Sequence, residues 1–370
     1  MAPASTPTRR RRAEGSGQDD RLNWAHFREA ALGGKDARAV ERELVAKLEK
    51  EFPEQRRMFR RIEAGQAQAV ARLARDARLR QWIHCGPGYP MTAAAEDTHE
   101  LVLPRHPRRK VLYVTDDQVI AAHSRALRKV GEPDQIRVIS ADLGQPEEIR
   151  RHPEIDGWLD WSQPIVLLHG DAWIHYAGTG EQAAGIMQRW VDQLVNGSYT
   201  VSTHLLRPDD ETASRRAAVL TERLEGTPVD TLQFRTREEI AALFPKQEMP
   251  AGLSHDLDTR LRRGPSVQSM LDAWVVDGVG HVTESVAPEP ASHWIGTDEA
   301  SRITGYTKRQ LASLARKGLV PSSRDPRGRY EFDPDELLEL VASWKQLAAQ
   351  NLKPPAPLPQ PAPAPTVDRA

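Results

Sequence analysis

Between about residues 80 and 205, short apolar runs alternate with stretches of helical period. This alternation restricts the chain more than any other feature. The apolar runs are QWIHC, KVLYVT, IRVIS, PIVLLHGDAWIHY and SYTVSTHLL. The helical stretches between them are TAAAEDTHELV, VIAAHSRALRKV, PEEIRRHPEI and EQAAGIMQRWVDQLVNG. Strands separated by helix-length crossovers predict an α/β fold, a doubly wound Rossmann-like sheet.

The segments on either side read differently. From Leu22 to about Arg80 the period is helical throughout, with Val40, Leu44, Leu48 and Phe52 expected on one buried face. Another helix, ETASRRAAVLTERL, follows residue 210, and Thr236 with Glu239 forms a capping box before a further one. VVDGVGHVTES is expected to supply a late strand. Residues 1–20 are a basic tail with the run Arg9 to Arg12, and residues 351–370 are a Pro/Ala tail. Neither has enough apolar side chain to offset its ordering entropy.

The charge balance excludes some partners. With 51 basic and 52 acidic side chains the net charge is −1, so any nucleic-acid contact requires a local basic patch. The lone Cys85 excludes an intramolecular disulfide and a Cys-rich zinc site. No apolar run is long enough to span a membrane. MAPASTPTRRRR lacks the apolar core of a secretory signal, so the expected location is the cytoplasm. Richness in Ala, Arg and Pro fits a bacterial genome of high GC content.

A glycine loop at the end of a first strand lets the backbone approach a nucleotide closely. Here that loop is Gly86-Pro87-Gly88. The next strand ends in Thr115-Asp116-Asp117, where an acid would meet ribose hydroxyls, and Asp142 ends the third, where it would meet an adenine amino group. A loop followed by two acidic strand ends suggests S-adenosylmethionine (SAM) more than a dinucleotide. The alternative is an ordinary strand-to-helix turn. His169, Asp171 and His175 on HGDAWIHY are candidate bases for methyl transfer to a hydroxyl or amine, and their spacing also permits a metal.

Leu32-Gly33-Gly34-Lys35-Asp36 resembles the LGGKD signature of the actinobacterial S-adenosyl methyltransferase-like family. Gly86, Gly88 and Pro90 match its GxGxP loop. Thr98-His99-Glu100, Ala122 to Leu127 and Ala141-Asp142-Leu143 match later segments. The resemblance covers about residues 21–280 and implies a methyltransferase fold with an N-terminal helical cap and no metal. It implies a cofactor set of Gly33, Gly34, Lys35, Asp36, Gly86, Gly88, Asp116 and Asp142. There are departures. His84 and Thr115 stand where the family has aspartates, Ala30 replaces a tyrosine, and Glu63-Ala64 replaces an asparagine-arginine pair. Each removes a polar contact to a zwitterion, worth about 1.5–3 kcal/mol if charge-assisted.

After Pro290 the sequence restarts. Thr297 is expected to cap a helix DEASRIT, and Gly305-Tyr306 to turn the chain. Thr307 with Gln310 should box the start of KRQLASLARKG, which Gly318 stops. SSRDPRGRYEF reads as a hairpin wing, and Asp333-Pro334-Asp335-Glu336 as a helix start. This arrangement resembles the MerR/excisionase winged helix-turn-helix group, over about residues 294–344. It implies binding of double-stranded DNA, with the second helix in the major groove. Eight basic residues lie between 294 and 332 against four acids. The expected DNA-facing set is Thr307, Lys308, Arg309, Ser313, Arg316, Arg324, Arg327 and Arg329. Leu337, Leu340, Val341 and Trp344 form a stripe that either closes the small core or pairs with a second copy as a homodimer.

The expected divisions are 21–285, a linker 286–293, and 294–350. Two functions fit them. One is a DNA-binding transcriptional regulator whose methyltransferase-like domain is partly degenerate and senses a ligand or mediates assembly. The other is an active SAM-dependent methyltransferase targeted by its DNA-binding domain.

Overall fold

A computed structural model describes residues 24–90, 96–106, 108–128, 134–227, 229–250, 253–254, 274–283, 294–325 and 327–349. Both expected tails and the linker 286–293 lie outside the described residues.

Three helices come first: α1 (Trp24–Leu32), α2 (Ala39–Glu51) and α3 (Gln55–Leu73). Elements then alternate through β1 (Gln81–Cys85), α4 (Thr98–Val102), β2 (Lys110–Thr115), α5 (Gln118–Leu127), β3 (Ile136–Ser140), α6 (Pro146–Arg150), β4 (Ile165–Gly170), α7 (Gly180–Val191) and β5 (Tyr199–Leu206). Next are α8 (Glu211–Leu224), β6 (Phe234–Arg235), α9 (Arg237–Ala241), β7 (Gln247–Glu248), β8 (Leu253–Ser254) and β9 (Val275–Val282). A separate group follows: β10 (Ile295–Gly296), α10 (Thr297–Thr304), α11 (Lys308–Arg316), β11 (Ser323–Arg324), β12 (Tyr330–Phe332) and α12 (Pro334–Ala349).

Among the described residues the large sheet runs β3-β2-β1-β4-β5-β9-β7, with β6 beside β5 and β8 beside β9. Strands β1 to β5 pair in parallel, and β9 closes against β5 antiparallel, from Tyr199 opposite His281 to Leu205 opposite Val275. The central strands are buried on both faces, which is why they read as continuous apolar runs rather than alternating ones. Strand β1 lies between β2 and β4, so the winding reverses there. The crevice beyond the carboxyl ends of β1 and β4 is the place such sheets reserve for ligands.

Local chemistry revises three sequence expectations. PIVLLHGDAWIHY is not one long strand: β4 stops at Gly170 (φ +51°) and a 3-10 turn covers Ala172–His175. On α2, Leu48 and Phe52 are buried and Leu44 packs on the core as expected, but Val40 is 37 % exposed, and Glu41 and Val45 are buried beside them. Arg38 holds the Glu41 carboxylate at 2.5 Å, so a charge can be buried on this face. Finally, Gly296 rather than Thr297 is the N-cap of α10.

Other expectations stand as read. Capping boxes form at Thr236/Glu239 and Thr307/Gln310. Asp333 accepts the amides of Asp335 and Glu336 at the start of α12. The apolar stripe of α12 closes the small core: Leu337 and Val341 are buried with Ala300, Leu311, Val320 and Phe332, and Leu340 and Trp344 pack against them.

Candidate functional site

At the end of β1 the amide of Gly86 bonds the carbonyl of Val114 (2.8 Å), which turns the chain into Gly86-Pro87-Gly88. Both glycines have positive φ, +67° and +65°, a conformation side chains resist. From the far end of α5 comes Arg128, which is buried and donates to the carbonyls of Gly88 (3.3 Å) and Pro87 (3.4 Å) and to Asp97 (2.9 Å). The loop is thus held by a guanidinium that the sequence reading passed over. Its detectable signal was Ser124, four residues earlier on the same helix, which also accepts from it.

Beside the loop the crevice is filled by protein. Arg28 of α1 reaches over Gly88 and pairs with Glu63 of α3 (2.6 Å) and with Asp171 beyond β4 (2.9 Å). All three residues are under a tenth exposed. A Cβ placed at Gly88 would lie 3.2 Å from the Arg28 guanidinium. Burial pushes Glu63 above the usual carboxylate range, against the pull of Arg28. Beside this cluster is a cavity of about 20 Å³, lined by Arg28, Glu63, Gln66, His84, Asp97 and Thr98 among others. That is room for about one water.

His84, on β1, is buried between Gln66 Nε2 and Thr98 Oγ1, each 2.9 Å from a ring nitrogen. Burial, with the charges of Arg128 and Arg28, holds it well below its ordinary pKa, so it is neutral. Thr115 is also buried, and its hydroxyl accepts the amide of Asp117 (3.2 Å). Ala30 lies in the core under the N-terminal helices. Both positions where the family has aspartates therefore carry neutral side chains engaged within the fold.

The remaining expected cofactor residues fall into two places. Asp116 and Asp142 are exposed at the ends of the adjacent strands β2 and β3, and Asp142 accepts the amide of Gly144 (2.8 Å). Gly33, Gly34, Lys35 and Asp36 form the turn after α1. Gly33 has φ +82°, and Glu29 is buried against Gly34, where a Cβ would run into its carboxylate. Tyr89, just after the glycine loop, stacks on His26 of α1 and contacts the ring of His123 on α5. The helical cap, the loop and α5 thus meet at one aromatic cluster.

The candidate bases are engaged elsewhere. Asp171 is the Arg28 partner just described. His169 is 1 % exposed between Trp173 and Trp190, and burial pushes its pKa to about 3. His175 packs on Trp24, and burial lowers its pKa to about 4. Among the described residues no group of three His, Cys, Asp or Glu side chains is placed to hold a metal. Cys85 is fully buried, which pushes its thiol pKa up.

The second candidate site is the small C-terminal unit. Thr307, Lys308, Arg309 and Arg316 are exposed on or at the start of α11, and Ser313 is half-buried. Arg324, Arg327 and Arg329 are exposed on the β11–β12 wing. Arg324 spans the hairpin, donating to the Gly328 carbonyl (2.6 Å) and the Tyr330 hydroxyl (2.8 Å), and Arg329 pairs with Asp325 (2.7 Å). Lys308 pairs with Asp298, but both are largely exposed, so that pair adds little stability and leaves the lysine available.

This unit is docked on the large one. His106 Nε2 lies 2.6 Å from Glu336, Arg80 pairs with Asp333 (2.7 Å) and Glu336 (3.1 Å), and Arg108 with Glu339 (2.6 Å). The amide of Ala77 donates to the Ser322 carbonyl at 3.2 Å. Among the described residues no helix is long and apolar enough to cross a membrane.

Comparisons with known proteins agree with both units. Residues 17–253 match the S-adenosyl methyltransferase family, and residues 297–351 match the MerR HTH family of regulatory proteins. A candidate methyltransferase from Thermobifida fusca YX superposes with a TM-score of 0.62 at 24 % identity, over 72 % of this chain and 97 % of its own. A DUF574 family protein from Streptomyces avermitilis gives 0.61 at 22 % identity, over 71 % and 98 %. At such identities these two establish the fold alone. No curated protein matches. The chain therefore belongs to the S-adenosyl methyltransferase family and carries a MerR-type helix-turn-helix domain at its C-terminal side.

Proposed function

We propose that the protein is a DNA-binding transcriptional regulator whose methyltransferase-like domain no longer holds intact SAM and instead senses another ligand or mediates assembly. The observation that carries this reading is the Arg28–Glu63–Asp171 cluster over Gly88. A ligand of SAM's size takes a pocket on the order of 300 Å³ or more. The cavity between Arg28 and His84, on the side expected for the methionine end, is about 20 Å³. The residues there do not fit the methionine end. Arg28 is already paired with two carboxylates, and neutral His84 and Thr115 stand where the family places acids.

The DNA half of the proposal rests on the exposed basic set Thr307, Lys308, Arg309, Ser313, Arg316, Arg324, Arg327 and Arg329, on a helix and wing suited to groove and backbone contacts. The divisions proposed for the chain are 21–285, 286–293 and 294–350.

A second reading, an active methyltransferase brought to its substrate by the helix-turn-helix domain, is favoured by the exposed Asp116 and Asp142 at neighbouring strand ends. Calorimetric titration with SAM and with S-adenosylhomocysteine separates the two. Absence of binding at millimolar ligand is expected. Low-micromolar binding would replace the first reading by the second.

A further inference from the structure

The wing does not stand free of the large domain. Its outer strand β11 is the edge of the small sheet β10-β12-β11, and that edge faces the turn after α3. There Ala77 N donates to Ser322 O (3.2 Å) and Arg78 Nη2 to the carbonyl of Arg324 (3.1 Å). A duplex lying along the wing would therefore pass next to this turn.

The same part of the large domain carries further arginines. Arg72 and Arg75 are exposed at the end of α3, and Arg105 is half-buried after α4 with its Nε donating to the Leu101 carbonyl (3.0 Å). Arg75 lies close enough to Arg105 for its charge, after burial itself, to depress the Arg105 pKa. Arg72 and Arg78 both act on Tyr199, the first residue of β5, so they lie toward the amino-terminal end of that strand. The acids nearby include Asp76 and Glu331, both paired with Arg78, Glu96, which faces Arg105, and Glu248, which shares His281 with Arg78. Asp76 and Glu331 are taken up by Arg78, which leaves Arg72 and Arg75 facing solvent at this place. Three arginines clustered beside a basic wing are what phosphate contact requires.

We propose that the DNA-contacting surface continues from the wing onto the methyltransferase-like domain, where Arg72, Arg75 and Arg105 bind backbone phosphates of the duplex flanking the site read by α11. This rests on the DNA-binding reading above. It extends that reading to the large domain, which becomes a second clamp on the same duplex and contacts it without reading sequence.

The test uses the full-length chain and a 40-base-pair random-sequence duplex, with binding followed by fluorescence anisotropy from 50 to 250 mM NaCl. Each phosphate contact contributes about 0.9 to the slope of log K against log salt. The Arg72→Ala/Arg75→Ala/Arg105→Ala variant should lower that slope by about 2 to 3, at unchanged thermal stability. A control variant, Arg215→Ala/Arg223→Ala/Arg237→Ala, removes the same charge from α8 and α9 and should change the slope by less than about 0.5. An unchanged slope in the first variant overturns the clamp while leaving the winged helix as the DNA-binding unit. An equal drop in the control overturns it as well, since bulk charge would then explain the effect. If the wild-type chain binds no duplex at any salt, the DNA-binding reading itself fails, and the clamp with it.

Discussion

His106, in the loop before β2, places its Nε2 2.6 Å from a carboxylate oxygen of Glu336, on the first turn of α12, 230 residues later. Both are buried, and the same carboxylate group lies 3.1 Å from Arg80, itself 2.7 Å from Asp333. Asp333 caps α12 and Glu336 is its third residue. The contact that docks the two units is therefore also the contact that starts the last helix. Removing one partner of a buried charge cluster costs about 3–5 kcal/mol. Glu336→Ala should convert a single calorimetric unfolding transition into two, the small unit melting first. A variant that still unfolds in one step would mean the docking is held elsewhere.

The Arg28 cluster makes a similar prediction for the large domain. Asp171→Ala leaves Arg28 with Glu63 as its buried partner, and should lose about 3 kcal/mol in urea denaturation. A loss under about 1 kcal/mol would show that the cluster is loose enough to open for a ligand.

Stability should also fall on acidification earlier than carboxylate titration explains. Burial holds His169 and His204 at about 3 and His175 at about 4, and lowers His106 against the pull of Glu336. A histidine depressed in the fold contributes stability that is complete above its unfolded value of about 6.5 and is lost as the pH drops below it. Glu29 and Glu63, raised by burial, act in the opposite sense nearer the carboxylate range. The net expectation is a Tm level between pH 7 and 8 that falls by about 5 °C or more by pH 5. A Tm that stays level down to pH 5 contradicts it.

On the DNA side, Lys308→Ala with Arg309→Ala should abolish retardation of a bound duplex in a gel while leaving the circular dichroism spectrum unchanged. Neither side chain is buried, so the fold has little reason to respond. Each contact of this kind is worth about 1–3 kcal/mol. Wild-type retardation by the double variant would remove α11 from the interface.

The LGGKD turn has a structural job that can be separated from ligand binding. Gly34→Ala would drive a Cβ into the Glu29 carboxylate, which is buried against it. The expected cost is about 1–3 kcal/mol, read by thermal melting without any ligand. An unaffected Tm would show that the two glycines do not serve the packing of this turn.

Much was legible in advance. The order of strands and helices, the glycine loop, the caps at Thr236, Thr307 and Asp333, and the apolar stripe on α12 are local patterns. Each is set by hydrophobic period, by φ preference or by an orphan amide needing an acceptor within three residues. What only the tertiary structure decided was the fate of the charged side chains. Arg28, Glu63, Asp171, Arg128, His106 and Glu336 lie on segments whose pattern reads as ordinary helix or loop, and their partners are mostly tens to hundreds of residues away. A charge can be buried only where an opposite one arrives to meet it, and nothing local in a sequence announces that meeting. The chain's own pattern determined that a nucleotide-type crevice and a winged helix would form. Long-range pairing filled the first with Arg28 and fixed the second against the sheet.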